Sequence, residues 1–178
     1  MVEAMEIPKG LKRTDVGSIP IDWAEEKLNK VCALSKMRIN PITSNSNFKC
    51  VELEHLSQET GRLLGIADSN DLKSQKTVFN KGDILFGKLR PYLKKFLFVD
   101  FDGVCTTEIW VLKPSSEIVN SWLYYIIQTN RILEAANQTE GTKMPRADWK
   151  IVGETLIPLP PTKAEQAAIA EALNDADA

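Results

Sequence analysis

Residues 81–112 read KGDILFGKLRPYLKKFLFVDFDGVCTTEIWVL, and this stretch decides the fold. A Gly82-Asp83 turn launches the β-branched and aromatic run Ile84, Leu85, Phe86. Pro91, which has no backbone donor, ends the strand predicted over Asp83–Leu89. Phe96–Val99 predicts a second strand. Asp102-Gly103 is a hairpin signal because both residues tolerate positive φ, which makes Val104–Leu112 the expected returning partner. In that partner Thr106, Glu108 and Trp110 alternate with Cys105, Thr107, Ile109 and Val111, so one face packs while the other shows a polar pair. Short strands joined by tight turns make the middle of the chain β-rich.

The same stretch concentrates charge. Lys81–Lys95 carries five basic residues against one acid, Asp83, in a chain whose formal net charge is −2. On a strand, Lys88 and Arg90 are two apart and leave by the same face, with Tyr92 and Lys94 following. Such an edge suits phosphates and base edges. It equally suits a solvated strand end, and this stretch alone leaves both readings open.

Toward the N-terminus, residues 1–20 form a polar arm ending in Gly17-Ser18-Ile19-Pro20. Leu28, Val31, Cys32 and Leu34 fall near helical spacing and predict a short helix over Ala24–Leu34, with Trp23 as a core anchor. SKMRINPITSNSNFK, residues 35–49, reads as a long surface loop carrying Lys36, Arg38 and Lys49. Cys50–Leu53 alternates as a short strand.

Toward the C-terminus, Ser115-Ser116-Glu117 opens a helix whose apolar face is Ile118, Trp122, Tyr125, Ile126 and Ile127. Arg131–Ala136 continues helical. The polar turn NQTEGTKMPRADW, residues 137–149, holds Thr142, Lys143 and Arg146, and Asp148 is placed to cap a further short turn. Thr155–Pro161 is extended, since residues preceding proline leave the helical region. Thr162-x-x-Glu165 is a capping box opening a last helix, in which Ile169, Ala172, Leu173 and Ala176 make a narrow apolar stripe suited to packing on another helix.

At 178 residues, with 43% hydrophobic and 26% charged residues, the chain fits one domain or one domain with an appendage. No apolar run approaches a membrane span and the N-terminus lacks signal-peptide order, so a cytoplasmic setting is expected. Cys32, Cys50 and Cys105 lie far apart with no C-x-x-C pair and read as buried thiols. A pI near 5.6 argues against a general nucleic-acid coat protein, so any nucleic-acid role must use a local patch.

Catalytic constellations are missing by inspection. The one histidine, His55, beside Glu54, is expected to face solvent. There is neither G-x-G-x-x-G nor G-x-x-x-x-G-K-[ST]. Asn40-Pro41-Ile42 is not an adenine-methyltransferase loop, and Glu25-Glu26-Lys27 reads as a solvated helix face.

IPIDWAEEKLNKVCAL, GDILFGKLRPYLKK, GVCTTEIWVLKP, EGTKMPRADWK and IPLPPTKAEQAAIAEAL, in this order, resemble one target recognition domain of a type I restriction-modification specificity subunit. The resemblance covers nearly the whole chain. It implies an α+β fold: a β-rich recognition domain with flanking helices over residues 1–161, then the start of a spacer and dimerisation helix over 162–178. Specificity subunits of this family hold two such domains, whose helices pair to space two DNA half-sites. The implied partners are double-stranded DNA, modification (methyltransferase) subunits and a restriction (translocase and nuclease) subunit. The modification subunits bind S-adenosylmethionine and methylate adenine; the specificity subunit binds no cofactor and catalyses nothing.

On this resemblance Lys88, Arg90, Tyr92, Lys94, Thr142, Lys143 and Arg146 face the DNA, with Arg90 reading a base. Ile169, Ala172, Leu173 and Ala176 form the partner or self-association face. The position before Lys88, often serine in relatives, is Gly87, which suggests extra backbone freedom there. The chain departs from the pattern in holding one domain and ending about four turns into the helix. A fragment of a longer subunit and a half-size subunit that dimerises both remain open, the end inside an apolar stripe favouring the fragment. Outside the family, the basic loops would suit a protein-interaction module meeting an acidic partner. A nuclease or methyltransferase fragment fits less well, since it needs the constellations that are missing.

Overall fold

Ile84, Leu85 and Phe86 are consecutive apolar residues and all three are buried, the signature of a strand covered on both faces. The computed structural model describes residues 7–44, 47–68, 74–138 and 143–177. In chain order these form strands β1 (Leu11–Thr14), β2 (Gly17–Pro20) and β3 (Ala24–Lys27), helix α1 (Leu28–Val31), then β4 (Cys32–Leu34), β5 (Arg38–Ile39), β6 (Lys49–Val51) and β7 (Ala67–Asp68). Strands β8 (Lys76–Phe79), β9 (Ile84–Gly87), β10 (Phe96–Phe98), β11 (Gly103–Thr106) and β12 (Ile109–Pro114) come next. Helices α2 (Asn120–Ile126), α3 (Asn130–Ala136) and α4 (Trp149–Val152), strand β13 (Leu156–Leu159) and helix α5 (Lys163–Asp177) complete the α+β architecture.

A four-stranded sheet, β10-β9-β12-β4, lies at the centre. Its alternation divides two cores. Ile84, Phe86, Phe96, Trp110 and Leu112 point to the helices and join Trp122, Leu123, Ile126 and Ile132. Leu85, Leu97, Ile109 and Val111 point the other way and join Val51, Phe79 and Cys105 from the second sheet, β5-β8-β11-β6-β7. Helices, sheet and sheet thus stack as three layers, and β9 is buried throughout because both its faces are covered.

Three expectations change. Phe96–Val99 does not pair with Val104–Leu112: β10 pairs with β9, β11 joins β8 and β6, and β12 joins β9 and β4. The run 104–112 breaks at a turn over Thr107-Glu108 and supplies one strand to each sheet. Gly103 does not serve a positive φ; a Cβ there would stand 2.6 Å from the Lys49 carbonyl oxygen and 2.7 Å from Phe79 Cζ, so a strand junction is crowded there. Ala24–Leu34 is not one helix, because β3 pairs with β13 and β4 with β12, leaving a single turn, α1, between them. Glu25-Glu26-Lys27 is accordingly strand.

The helical region is split as well. α2 begins at Asn120, and the Val119 amide that precedes it is satisfied by Gln166 Oε1 of α5 at 2.8 Å. Asp148 caps α4 by accepting from Lys150 N at 2.9 Å, as its position suggests. Cys32, Cys50 and Cys105 are buried free thiols.

Candidate nucleic-acid interface

Strand β9 stops at Gly87, sooner than the apolar run and Pro91 imply. The backbone beyond Gly87 is tied to the distant turn after α3. Lys88 N donates to the Glu108 carbonyl at 3.0 Å, Ala147 N to the Lys88 carbonyl at 2.8 Å, and Arg90 N to the Pro145 carbonyl at 2.8 Å. Leu89 and Arg146 thereby face each other as an antiparallel bridge. The two basic segments singled out from the sequence, more than fifty residues apart, are joined backbone to backbone into one rim.

Arg90 does not continue the strand. Its φ of 53° and ψ of 60° are left-handed, and it opens a 3-10 turn over Pro91–Leu93 that Lys94, φ 49°, closes in the same region. Two non-glycine residues held there cost roughly 1–2 kcal/mol each. Period-two alternation therefore fails between Lys88 and Arg90, and their expected common face is not set by a strand. Gly87 brings packing rather than freedom, since a Cβ would meet Leu53 Cδ2 and Lys95 Cβ, each at 3.2 Å.

The side chains differ in how they are engaged. Arg90 is exposed, Tyr92 is 53% exposed, and Lys143 is exposed. Lys94 Nζ pairs with Glu59 at 3.0 Å. Arg146 is clamped by Glu108: Nε donates to Oε2 at 3.0 Å and Nη2 to Oε1 at 3.3 Å. Glu108, placed by alternation on the polar side of the run 104–112, instead lies in the turn at Thr107-Glu108, which presents its carboxylate to Arg146. Lys88 has no ion pair among the described residues. Thr142 lies outside the described residues.

His55 is not a solvent-facing ring. Its Nδ1 accepts from Glu52 N at 3.0 Å and it is half-buried, closing a 3-10 turn over Leu53–His55. Among the described residues no cluster of His, Cys, Asp and Glu is arranged to hold a metal. Burial pushes the Cys32 and Cys50 thiols up to about 12, with the Glu52 carboxylate adding to the effect at Cys50, and raises Cys105 as well.

One arm of the expected capping box forms at the start of helix α5, Thr162 Oγ1 accepting from Glu165 N at 3.2 Å. The Glu165 carboxylate accepts from Trp23 Nε1 at 2.9 Å, so it latches the entry arm to the helix. Gln166, 1% exposed, does most to seat α5: besides accepting from Val119, its Nε2 donates to the Pro160 carbonyl at 3.1 Å and to the Glu117 carbonyl at 3.2 Å. Of the expected stripe, Ile169 leans on the core, whereas Ala172, Leu173 and Ala176 are exposed. The contact with α2 is made through Gln166 and Ala170, one position off the stripe.

The layered α+β domain has a fold shared with solved specificity subunits. An HsdS subunit from Thermoanaerobacter tengcongensis aligns with a TM-score of 0.76 and 27% identity over 88% of this chain and 42% of its own. A structure concerning complex assembly and conformational transition of the type I R-M system gives the same TM-score and identity, with 43% of that chain covered. A type I S subunit from M. genitalium shares the fold at a TM-score of 0.56 and 18% identity, over 86% of this chain and 38% of its own. The type I restriction modification DNA specificity domain matches residues 20–178, and the chain belongs to that family. It is 26% identical over 156 residues to the type I restriction enzyme EcoDI specificity subunit of Escherichia coli, covering 86% of this chain and 34% of that protein. It is 30% identical over 110 residues to the HindI specificity subunit of Haemophilus influenzae, covering 57% of this chain and 24% of that protein. The chain thus spans about a third or less of these curated relatives' length.

Proposed function

We propose that the chain reads one half of a bipartite double-stranded DNA site as a target recognition domain of a type I specificity subunit, and performs no chemistry itself. The observation that carries this reading is the joint between residues 88–90 and 145–147, which gathers Lys88, Arg90 and Arg146 on one rim of a domain of this family. Arg90, exposed and free of ion pairs among the described residues, is the base reader; its planar fork matches guanine and discriminates by roughly 1–3 kcal/mol. Lys88 and Lys143 contact phosphates. Partner modification subunits, carrying S-adenosylmethionine, methylate adenine where this surface directs them, and a restriction subunit completes the cytoplasmic complex. Ala172, Leu173 and Ala176 extend into the helix pairing that sets half-site spacing.

The test places the domain in a full-length specificity subunit expressed with its modification partner, and maps N6-methyladenine in host DNA. Exchange of this domain is expected to change one half of the methylated motif. An unchanged motif would overturn the proposal, and loss of methylation restored by an acidic protein partner would favour protein recognition instead.

A further inference from the structure

Beside the joined loops, where the two sheets diverge, lies a cleft of about 660 Å³ whose lining includes Lys36, Arg38, Lys88, Thr77, Thr107 and Trp149, and no carboxylate. The three cations differ from those already committed to an acid. Lys27, Lys76, Lys94, Lys113 and Arg146 are each neutralised by an acid within 3.0 Å. Lys36, Arg38 and Lys88 have no ion pair among the described residues, and they converge on one cavity. Thr77 supplies an independent sign. It is 2% exposed and its Oγ1 has no hydrogen-bond partner among the described residues. A buried hydroxyl left unpaired costs about 1–3 kcal/mol. Thr77 is the register partner of Arg38 across β8 and β5, so the two side chains share a face at the mouth of the cleft. The opposite wall is Trp149, half-buried and held edge-on to Trp110 at 5.5 Å.

We infer that this cleft is a phosphate slot: Lys36, Arg38 and Lys88 grip a backbone phosphodiester of the bound DNA strand, and the Thr77 hydroxyl donates to it. The inference rests on the DNA-reading function proposed above and deepens it, because it adds a seat outside the two basic loops. It also gives a role to Lys36 and Arg38, two of the basic residues that the sequence places in the segment 35–49. Unpaired cations with no acid nearby favour an anion over a base edge, and a phosphate contact positions the duplex without reading it. Lys88 belongs to both the rim and the slot, so a strand held here leads directly to Arg90.

The experiment measures binding of the full chain to a mixed-sequence duplex across a salt series. The double variant Lys36→Ala/Arg38→Ala is expected to lower the slope of log affinity against log salt by about 1.8, from roughly 0.9 per phosphate contact. Both residues are exposed and unpaired, so its melting temperature should match wild type. Thr77→Val removes only the unpaired hydroxyl; it should leave the fold as stable or more so while weakening DNA binding by roughly tenfold, the scale of a hydrogen bond to a charged group. Wild-type binding with a slope unchanged by Lys36→Ala/Arg38→Ala would overturn the slot and leave the DNA-reading proposal standing. No DNA binding by the wild type at any salt would overturn both.

Discussion

Glu108 is the residue that most changes how the rim works. Its carboxylate holds both Nε and Nη2 of Arg146, so that arginine is presented as half of a salt bridge. Glu108→Gln should free Arg146 to meet phosphate, raising affinity for mixed-sequence DNA several-fold and the salt slope by about 0.9; an equilibrium titration of wild type and variant checks it. Cysteine chemistry is governed by burial. The folded-state value for Cys32 and Cys50, about 12, lies above the ordinary 9.0, so the protonated thiols favour the fold fully below pH 9, and that contribution is lost as pH rises from 9 toward 12. Native protein should therefore resist alkylation near neutral pH and react once denatured, as thiol titration against denaturant would show. Arg90 illustrates what a residue-level reading cannot see. Its backbone is left-handed and its amide donates to Pro145, a partner no local pattern announces.

At the scale of elements, α5 depends on one buried amide. Gln166 satisfies the Val119 amide and two carbonyls at once, so Gln166→Ala should leave those groups unpaired, cost about 2–3 kcal/mol and release the helix. Limited proteolysis within 160–177, measured beside a denaturation curve, tests this. In the second sheet the Lys76–Glu52 pair is buried on the lysine side, 3% exposed, at 2.6 Å. Glu52→Ala strands that charge and should destabilise by about 3–5 kcal/mol, whereas adding Lys76→Met recovers most of the loss; urea midpoints of the single and double variants decide it. Helix starts are legible where a cap is local, as at Asp148 and Thr162. They are obscured where the cap comes from elsewhere: Ser115 promises a start, but Gln166, 47 residues beyond Val119, provides it.

In the whole molecule the central sheet serves both cores, and this couples them. Trp110, Trp122 and the flanking Trp23 and Trp149 report the helix-side core, while Cys105 reports the core between the sheets. Tryptophan fluorescence and Cys105 labelling in a variant lacking the other two thiols should give coincident urea transitions, as one cooperative unit requires; separated midpoints would mean that the layers unfold independently. The site is likewise a property of the assembled layers. Lys36 and Arg38 arrive at the cleft on the edge of the second sheet, Lys88 at the end of a central strand, and Trp149 from the helical layer.

Local chemistry determined a good deal. Apolar runs and turn residues specify a β-rich middle, an extended prolyl segment, a capped terminal helix and buried thiols, because each depends on groups within a few residues. The two basic segments were legible as candidates for the same reason, since charge density is local. Which strand pairs with which, that 104–112 divides between two sheets, that Glu108 claims Arg146 and that 88–90 bonds to 145–147 were decided only in the tertiary structure. These contacts join residues distant along the chain, and backbone donors and buried apolar faces choose among many chemically equivalent partners by packing alone.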